Sequence, residues 1–129
     1  VAKLSGAGVA VQGDGNKLRI GCYQMDTENH RTAVKHVIET YARFRPSHGN
    51  IRLDTVFDET HDRYALMQAG WDRGRRVRGN LIYITLQDGK VVVEYDGIEH
   101  GITDDLIRQG VEEKDIVLAF LEERYITAV

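Results

Sequence analysis

Four arginines lie close together in the sequence and form a candidate anion-binding cluster: Arg73, Arg75, Arg76 and Arg78. Guanidinium groups bind phosphates and carboxylates through paired hydrogen bonds, so the cluster could contact nucleic acid or another anion. The alternative is a solvated sheet edge whose arginines pair with Asp72 and neighbouring acids. Trp71 precedes the cluster and could stack on a base or on an arginine, although a tryptophan in such a run is more often a core residue.

The other reactive side chains do not belong to a recognisable catalytic motif. The serines and the single cysteine, Cys22, lie in expected loops or in the N-terminal stretch, without a Gly-x-Ser-x-Gly motif or a recognisable base. His30 and His36 have no acidic or cysteine partner at ligand spacing, which argues against a metal site. The adjacent acids of the C-terminal half fit helix ends or solvated faces. We therefore expect a non-enzyme without a catalytic residue, a metal or a cofactor.

Composition bounds the class of protein. The 129 residues fit one domain, and the net charge of −3 gives no overall case for nucleic acid as the partner. The charge is uneven, because residues 43–78 hold eight arginines and five acids, whereas residues 94–129 hold ten acids and three bases. One cysteine excludes an internal disulfide, and no apolar run has the length of a membrane span. We expect a cytoplasmic protein that does not associate with membranes.

The middle of the chain predicts successive antiparallel strands. Three runs there are rich in branched and aromatic side chains, which suit a pleated sheet: residues 64–71, 81–87 and 90–95. Asp88-Gly89 separates the last two runs, and this dipeptide tolerates the positive φ angles of a two-residue hairpin. Gly74 lies in the preceding turn. Upstream, residues 51–58 alternate between apolar and polar side chains, as in a strand with one solvated face.

A helix is predicted before the sheet. Between residues 27 and 44 the apolar positions recur at spacings of three and four, the pattern of a helix with one buried stripe. They are Val34, Val37, Ile38, Tyr41 and Phe44. Asp26 or Thr27 caps the start, and Pro46 ends the helix because the residue before a proline avoids helical angles.

Residues 1–24 are expected to lie outside the domain, which we place at residues 25–129. They begin without methionine and are rich in glycine, whereas Met25 resembles a native translation start. We expect an upstream extension, natural or introduced by cloning. Residues 9–11 and 18–20 flank a glycine-rich turn and favour a hairpin there.

Two further helices are predicted after the sheet. Thr103 caps a short one that stops at Gly110, and the acids from Glu112 onward open another, in whose first turn the helix dipole favours them. The predicted fold is therefore α+β, with an N-terminal helix, a four-stranded antiparallel meander sheet and two short C-terminal helices.

The run at residues 64–71 is apolar on both faces. A strand covered on one side by the first helix and on the other by a partner chain has this pattern. We therefore assign partner binding, as a hypothesis, to Tyr64, Leu66 and Trp71. Anion or nucleic-acid contact is assigned, also as a hypothesis, to the arginine cluster.

Seven short segments follow one another in a specific order and spacing. They are Asp62-Arg63-Tyr64, Ala69-Gly70-Trp71, Arg76-Val77, Leu81-Ile82-Tyr83-Ile84, Asp88-Gly89-Lys90, Gly110-Val111 and Asp115-Ile116-Val117-Leu118. Together they closely resemble the XisI-like fdxN-element excision controlling factors, from about His30 to Val129. The chain departs from that family in the strand after Asp-Gly-Lys, at the end of the last helix and in the shorter segment that follows it. It has valines where a tryptophan often follows Asp-Gly-Lys, and Ala119-Phe120-Leu121 where Gly-Phe-His often ends the last helix.

The resemblance implies a small α+β protein that works with a second protein of the XisH-like family. XisH-like proteins are similar to nuclease-fold proteins, and in cyanobacteria such pairs are associated with controlled excision of a DNA element by a separate recombinase. The expected function is that of a non-catalytic regulator that binds an XisH-like partner. The alternatives are a DNA-binding accessory protein that uses Arg73 to Arg78, a homo-oligomer, and a domain that binds a small ligand between helix and sheet.

Overall fold

A long helix, a five-stranded sheet and a short helix make up the described part of the chain. The computed structural model describes residues 15–45 and 48–121, with side chains from residue 27 onward. The helices are α1 (Gly15–Ala42) and α2 (Thr103–Arg108), and the strands are β1 (Asn50–Asp58), β2 (Arg63–Asp72), β3 (Arg75–Gln87), β4 (Lys90–Asp96) and β5 (Ile116–Leu118). Single 3₁₀ turns, Glu113–Asp115 and Ala119–Leu121, flank β5. The α+β class is as predicted.

Helix α1 packs against the sheet through the predicted apolar stripe. Val34 and Ile38 are fully buried, and Val37 and Tyr41 are nearly so. Phe44 is the exception, because α1 ends before it and leaves this ring 57% exposed. The buried stripe is therefore shorter than its spacing suggested.

Helix α1 begins at Gly15, upstream of the start that we predicted at Asp26 or Thr27. Residues 18–20, which we expected as a strand of an N-terminal hairpin, are helical rather than extended. Elongating an existing helix adds one hydrogen bond for each residue ordered, which favours the continuation of α1 into this stretch. The other expected strand, residues 9–11, lies outside the described residues, as do the C-terminal residues 122–129.

Strands β1 to β4 form the predicted antiparallel meander, in which each strand pairs with the next one along the chain. In the β3–β4 turn, Asp88 and Gly89 have φ angles of 52° and 75°. This is the left-handed conformation that a two-residue hairpin of type I′ requires. The β2–β3 turn repeats it, with Arg73 at 55° and Gly74 at 78°. The Asp-Gly hairpin prediction is confirmed.

A fifth strand stands where we predicted the second C-terminal helix. Ile116, Val117 and Leu118 pair with β4 in parallel. Val117 packs with Val92 and Ala119 on the side away from α1, while its two neighbours pack against the main core. A buried parallel strand is apolar on both faces, and periodicity alone cannot distinguish so short an apolar run from a helix. That is why the sequence pattern suggested the wrong element.

The main core lies between α1 and one face of the sheet. Its buried sheet residues are Tyr64, Leu66, Ile82, Ile84, Val91 and Val93. Ile102, Leu106 and Val111 extend the same core from the segment around α2. One layer of helix and one layer of sheet therefore share a single principal core.

The ends of α2 agree only partly with the prediction. Gly110 has a φ of 104°, and its N–H donates to the Ile107 carbonyl at 3.0 Å, so the predicted helix stop is confirmed. The cap position is Ile102 rather than Thr103, and no side chain caps the helix. Asp96 instead accepts the Ile102 N–H at 2.9 Å, which orders the loop that leads into α2.

Truncating a side chain between the sheet and α1 should destabilise the fold. Leu66→Ala removes fully buried groups and should lower the free energy of unfolding by about 2–5 kcal/mol. Met67→Ala is the matched control, because it truncates a partly buried side chain on the opposite face of β2 and should cost clearly less. Urea unfolding followed by circular dichroism measures both. Equal losses would contradict a core on one face.

Candidate interaction surface on the open face of the sheet

One face of the sheet packs on α1 and the other does not. Side chains alternate along β2, so Tyr64 and Leu66 point to α1 and are fully buried, whereas Ala65, Met67 and Trp71 point away. Within residues 27–45 and 48–121, only the last 3₁₀ turn packs over this second side, at its β4–β5 edge. We call the side away from α1 the open face.

Strand pairing assembles a basic group at one end of the open face. Trp71 of β2 lies opposite Arg76 of β3. Ala69, two residues away on the same face, lies between Arg78 of β3 and Arg52 of β1. Residues directly opposite each other on antiparallel strands share a face of the sheet. We call Trp71, Arg76, Arg78 and Arg52 the basic end.

The arginines of β3 have no carboxylate within 4.0 Å in the described part of the chain. The pairing with Asp72 that would make the cluster a neutral edge is therefore absent there. The Arg76 guanidinium instead lies 5.4 Å from the centroid of the Trp71 ring. At this end of the face, an ion pair joins Arg52 Nε to Asp54 Oδ2 at 2.9 Å. Among the residues that the structure describes, no acid therefore compensates the positive charge of the β3 guanidinium groups at this distance.

The four predicted arginines do not form one surface. Arg76 and Arg78 lie on the open face, whereas Arg75 is opposite Asp72 in the register and belongs to the other face. Arg73 occupies the turn. Neighbouring residues of a strand point to opposite sides, so closeness in sequence overstated the cluster. The register adds Arg52, which sequence reasoning missed because it is on a different strand.

Two glycines hold β1 close to Trp71. A Cβ at Gly70 would lie 2.0 Å from the Asn50 carbonyl oxygen, and one at Gly49, where φ is 70°, would lie 2.6 Å from the Trp71 carbonyl oxygen. A larger residue at either position would push β1 away. The Trp71 side chain is 53% exposed. At this end of the sheet, the exposed Trp71 ring is therefore attached to a backbone that packs closely against β1.

A row of apolar side chains crosses the middle of the open face. Val56, Ala65, Tyr83 and Tyr95 are successive cross-strand partners on β1, β2, β3 and β4. Val56 is 51% and Tyr95 47% exposed. The Tyr95 ring lies over Gly97, where a Cβ would be 3.1 Å from its Cε2 atom. We call the four residues the apolar row. Contiguous exposed apolar surface of this kind is typical of protein interaction sites.

The structure places two of the three residues of the partner-binding hypothesis in the core. Tyr64 and Leu66 have no exposed surface and lie beneath α1. A partner of the folded chain therefore cannot reach them. Trp71, the third residue, is exposed at the basic end. A partner that binds the side of β2 away from α1 would contact Ala65, Met67 and Trp71, because these side chains face away from the helix.

A polar network joins α1 to the sheet. Arg31 of α1 donates two hydrogen bonds to Asp62 in the β1–β2 turn, from Nε to Oδ1 at 2.8 Å and from Nη2 to Oδ2 at 3.2 Å. The Tyr64 hydroxyl donates to Oδ1 of the same carboxylate at 2.8 Å. The hydrogen bonds from Arg31 lower the pKa of Asp62, while burial and then the Asp62 bond raise the pKa of Tyr64. The network was not predicted from the sequence, because Arg31 and Asp62 are 31 residues apart along the chain.

A second polar cluster joins the end of α1 to α2. The Tyr41 hydroxyl is 2.9 Å from His100 Nε2 and donates a hydrogen bond to Asp105. Burial, and then the bond to Asp105, raise the pKa of Tyr41 to about 12. Cavities of about 260 and 320 Å³ adjoin Tyr41 and Phe44. These volumes are at or below the small end of ligand pockets, and the Tyr41 hydroxyl already has its partners.

The remaining titratable groups are dispersed. His30 Nε2 is 3.6 Å from Asp115 Oδ2, and His61 Nδ1 is 2.8 Å from Asp58 Oδ2. The residues that the structure describes contain no group of three or more His, Cys, Asp or Glu side chains that could hold a metal ion. Among the described helices, none has both the length and the apolar character to cross a membrane.

Known proteins share this fold and residue pattern. A family model described as XisI protein matches residues 25–128. The crystal structure of a XisI-like protein from Anabaena variabilis ATCC 29413 is 25% identical, with a TM-score of 0.62 over 68% of this chain and 81% of that one. The crystal structure of the fdxN element excision controlling factor XisI from the same organism is 28% identical, with a TM-score of 0.60 over 74% and 92%. No curated protein matches the chain in sequence.

Neutralising Asp62 should weaken the attachment of α1 and change how stability depends on pH. Its pKa is lower in the folded than in the unfolded chain. The ionised form therefore contributes stability above about pH 4, and this contribution is lost as the pH falls through the folded value. Asp62→Asn keeps a residue that tolerates the φ of 56° at this position. It should lower the free energy of unfolding at neutral pH by about 1–3 kcal/mol.

The matched control for this prediction is Asp54→Asn. It removes the same charge from the more exposed ion pair with Arg52, and such pairs contribute about 0–1 kcal/mol. Chemical unfolding is measured from neutral pH down to about pH 3, where the difference between the parent protein and Asp62→Asn should shrink. A difference that does not change with pH would contradict an ionic attachment.

Proposed function

The chain belongs to the XisI family, and we propose on that basis that it is a non-catalytic regulator of DNA element excision that acts by binding an XisH-like protein. The similarity to a solved fdxN element excision controlling factor supports the excision role. The observation that carries the proposed mechanism is the apolar row on the open face. We further propose that the protein acts in the cytoplasm.

The apolar row has the chemistry of a protein interface. Two of its four residues are tyrosines, and aromatic side chains are enriched in interface cores, where they bury a large area with few rotatable bonds. The row runs perpendicular to the strands across β1 to β4, on a sheet whose opposite side is packed on α1. A partner would therefore bind a preformed surface and would not have to order a loop.

A division of roles follows from this proposal. The XisH-like partner supplies the chemistry on DNA, and this chain supplies a surface that restrains or positions it. The proposal is tested on activity by measuring cleavage or binding of DNA by the partner, with and without this chain. Cleavage by this chain alone, lost on changing one of its own side chains, would overturn the non-catalytic role.

Placing a charge in the apolar row should abolish partner binding. The two proteins are co-expressed and passed over a size-exclusion column at micromolar concentration, where we expect one co-eluting peak. Val56→Glu buries a carboxylate against apolar surface in the complex and should weaken binding by about tenfold or more. Ile107→Glu is the matched control, because it adds the same charge at a 38% exposed apolar residue on α2.

The outcomes separate the alternatives. Co-elution of the parent chain and of Ile107→Glu, but not of Val56→Glu, would support the apolar row as the interface. Equal effects of both variants, or separate elution of the parent proteins, would contradict it. Light scattering of this chain alone shows whether a second copy occupies the same row, which would give a dimer that Val56→Glu dissociates.

A further inference from the structure

We propose that the basic end of the open face, made of Trp71, Arg76, Arg78 and Arg52, binds single-stranded nucleic acid. This site is separate from the apolar row and does not depend on the partner proposed above. Its ligand is defined by two chemical features that occur together only in such a strand, a phosphodiester backbone and unpaired bases.

The first observation is the arrangement of charge. Arg76 and Arg78 are two residues apart on one face of β3, which places them about 7 Å apart along the strand. Arg52 lies two strands away from Arg78, across Ala69, or about 10 Å. The three arginines therefore occupy successive positions across the open face rather than one point. A flexible polyanion can follow these positions and contact their charges in succession.

The second observation is that these charges are not neutralised internally. Within the described chain, Arg76 and Arg78 have no carboxylate within 4.0 Å, and a phosphate does not have to displace an acid to reach them. Arg52 does pair with Asp54, but both side chains are largely exposed, at 71% and 42%. Exposed pairs of this kind are weak, so a phosphate can exchange for Asp54.

The third observation distinguishes single strands from other polyanions. Trp71 is 53% exposed, and the Arg76 guanidinium lies 5.4 Å from the centroid of its ring, so an aromatic side chain and a cation meet the solvent together. Stacking on an aromatic side chain requires a base that is not enclosed in a duplex. An acidic protein segment would use the arginines alone. The juxtaposition of a solvent-facing tryptophan with uncompensated arginines therefore favours an unpaired nucleic-acid strand.

The chain carries its own reporter for this site, because Trp71 is its single tryptophan. The purified protein is titrated at low salt with four probes: a short oligothymidylate, a short oligouridylate, a duplex of equal length and polyglutamate. We expect saturable quenching of tryptophan fluorescence by the single strands. The relative affinities for the oligothymidylate and the oligouridylate show whether the site prefers DNA or RNA.

Two charge-reversal variants test the placement of the arginines. Arg76→Glu/Arg78→Glu changes the open face and should weaken binding by about tenfold or more, since hydrogen bonds to charged groups are the strong ones. The slope of log affinity against log salt should become shallower by about 1.4 for two lost phosphate contacts. Arg73→Glu/Arg75→Glu is the control. It changes the net charge by the same amount as the first variant, but the altered residues lie in the turn and on the other face. It should therefore weaken binding less than about threefold.

Stacking is tested at Trp71 itself with a fluorescently labelled oligonucleotide, read by anisotropy. Trp71→Ala should weaken binding by about fivefold or more, and Trp71→Phe should restore most of it, because stacking needs an aromatic face. Thermal unfolding of each variant checks that it is folded. We expect all of them to fold, because the altered side chains are exposed.

Several results would overturn the proposal. They are absence of binding to either single strand at low salt, a duplex bound as tightly as a single strand, and equal losses in the two double variants. Tight binding of polyglutamate with no effect of Trp71→Ala would assign the basic end to an acidic protein instead. Because this chain is assayed alone, none of these results bears on binding of an XisH-like partner at the apolar row.

Discussion

In the part of the chain that the structure describes, the sheet is packed against helix on one side only, and this asymmetry determines which side chains of its strands are buried. An α-helix with its side chains is about 10–12 Å across, and five strands spaced about 4.8 Å apart extend over roughly 20 Å. Helix α1 covers one face only with the help of Ile102, Leu106 and Val111 from the segment around α2. The described chain has no comparable layer for the other face. The open face therefore follows from how much apolar surface a chain of this length can cover.

Two polar links keep α1 in one position on the sheet. Near its middle, Arg31 binds the Asp62 carboxylate, which also accepts a hydrogen bond from Tyr64. Near its end, the Tyr41 hydroxyl contacts His100 and Asp105. The apolar stripe between these points supplies most of the attraction but little angular preference, because hydrophobic burial is not directional. The two links supply directional contacts and so favour one orientation of the helix.

The open face combines two kinds of chemistry that are usually found on separate surfaces. Its middle is apolar and aromatic across four strands, and one end carries arginines beside an exposed tryptophan. If both proposals hold, a partner and a nucleic-acid strand would lie side by side on one rigid sheet. A family member that regulates excision would then act as a platform for both.

The features that could be predicted from the sequence are local ones. The spacing of Val34, Val37, Ile38 and Tyr41 was enough to identify the buried stripe of α1, and Asp88-Gly89 was enough to identify a hairpin, because both depend on contacts between near neighbours along the chain. The order and spacing of the seven short segments were enough to indicate a resemblance to XisI-like proteins. Alternation along β2 also showed two apolar faces.

Which of those two faces is covered depends on how distant parts of the chain pack together. Alternation divides a strand into two sets of side chains but does not say which set meets α1, and so Tyr64 and Leu66 proved to be core residues. Strand β5 and the addition of Arg52 to the arginines of β3 depend in the same way on pairing between distant segments. Such pairing is set by the packing of the whole chain, and a local pattern carries no information about it.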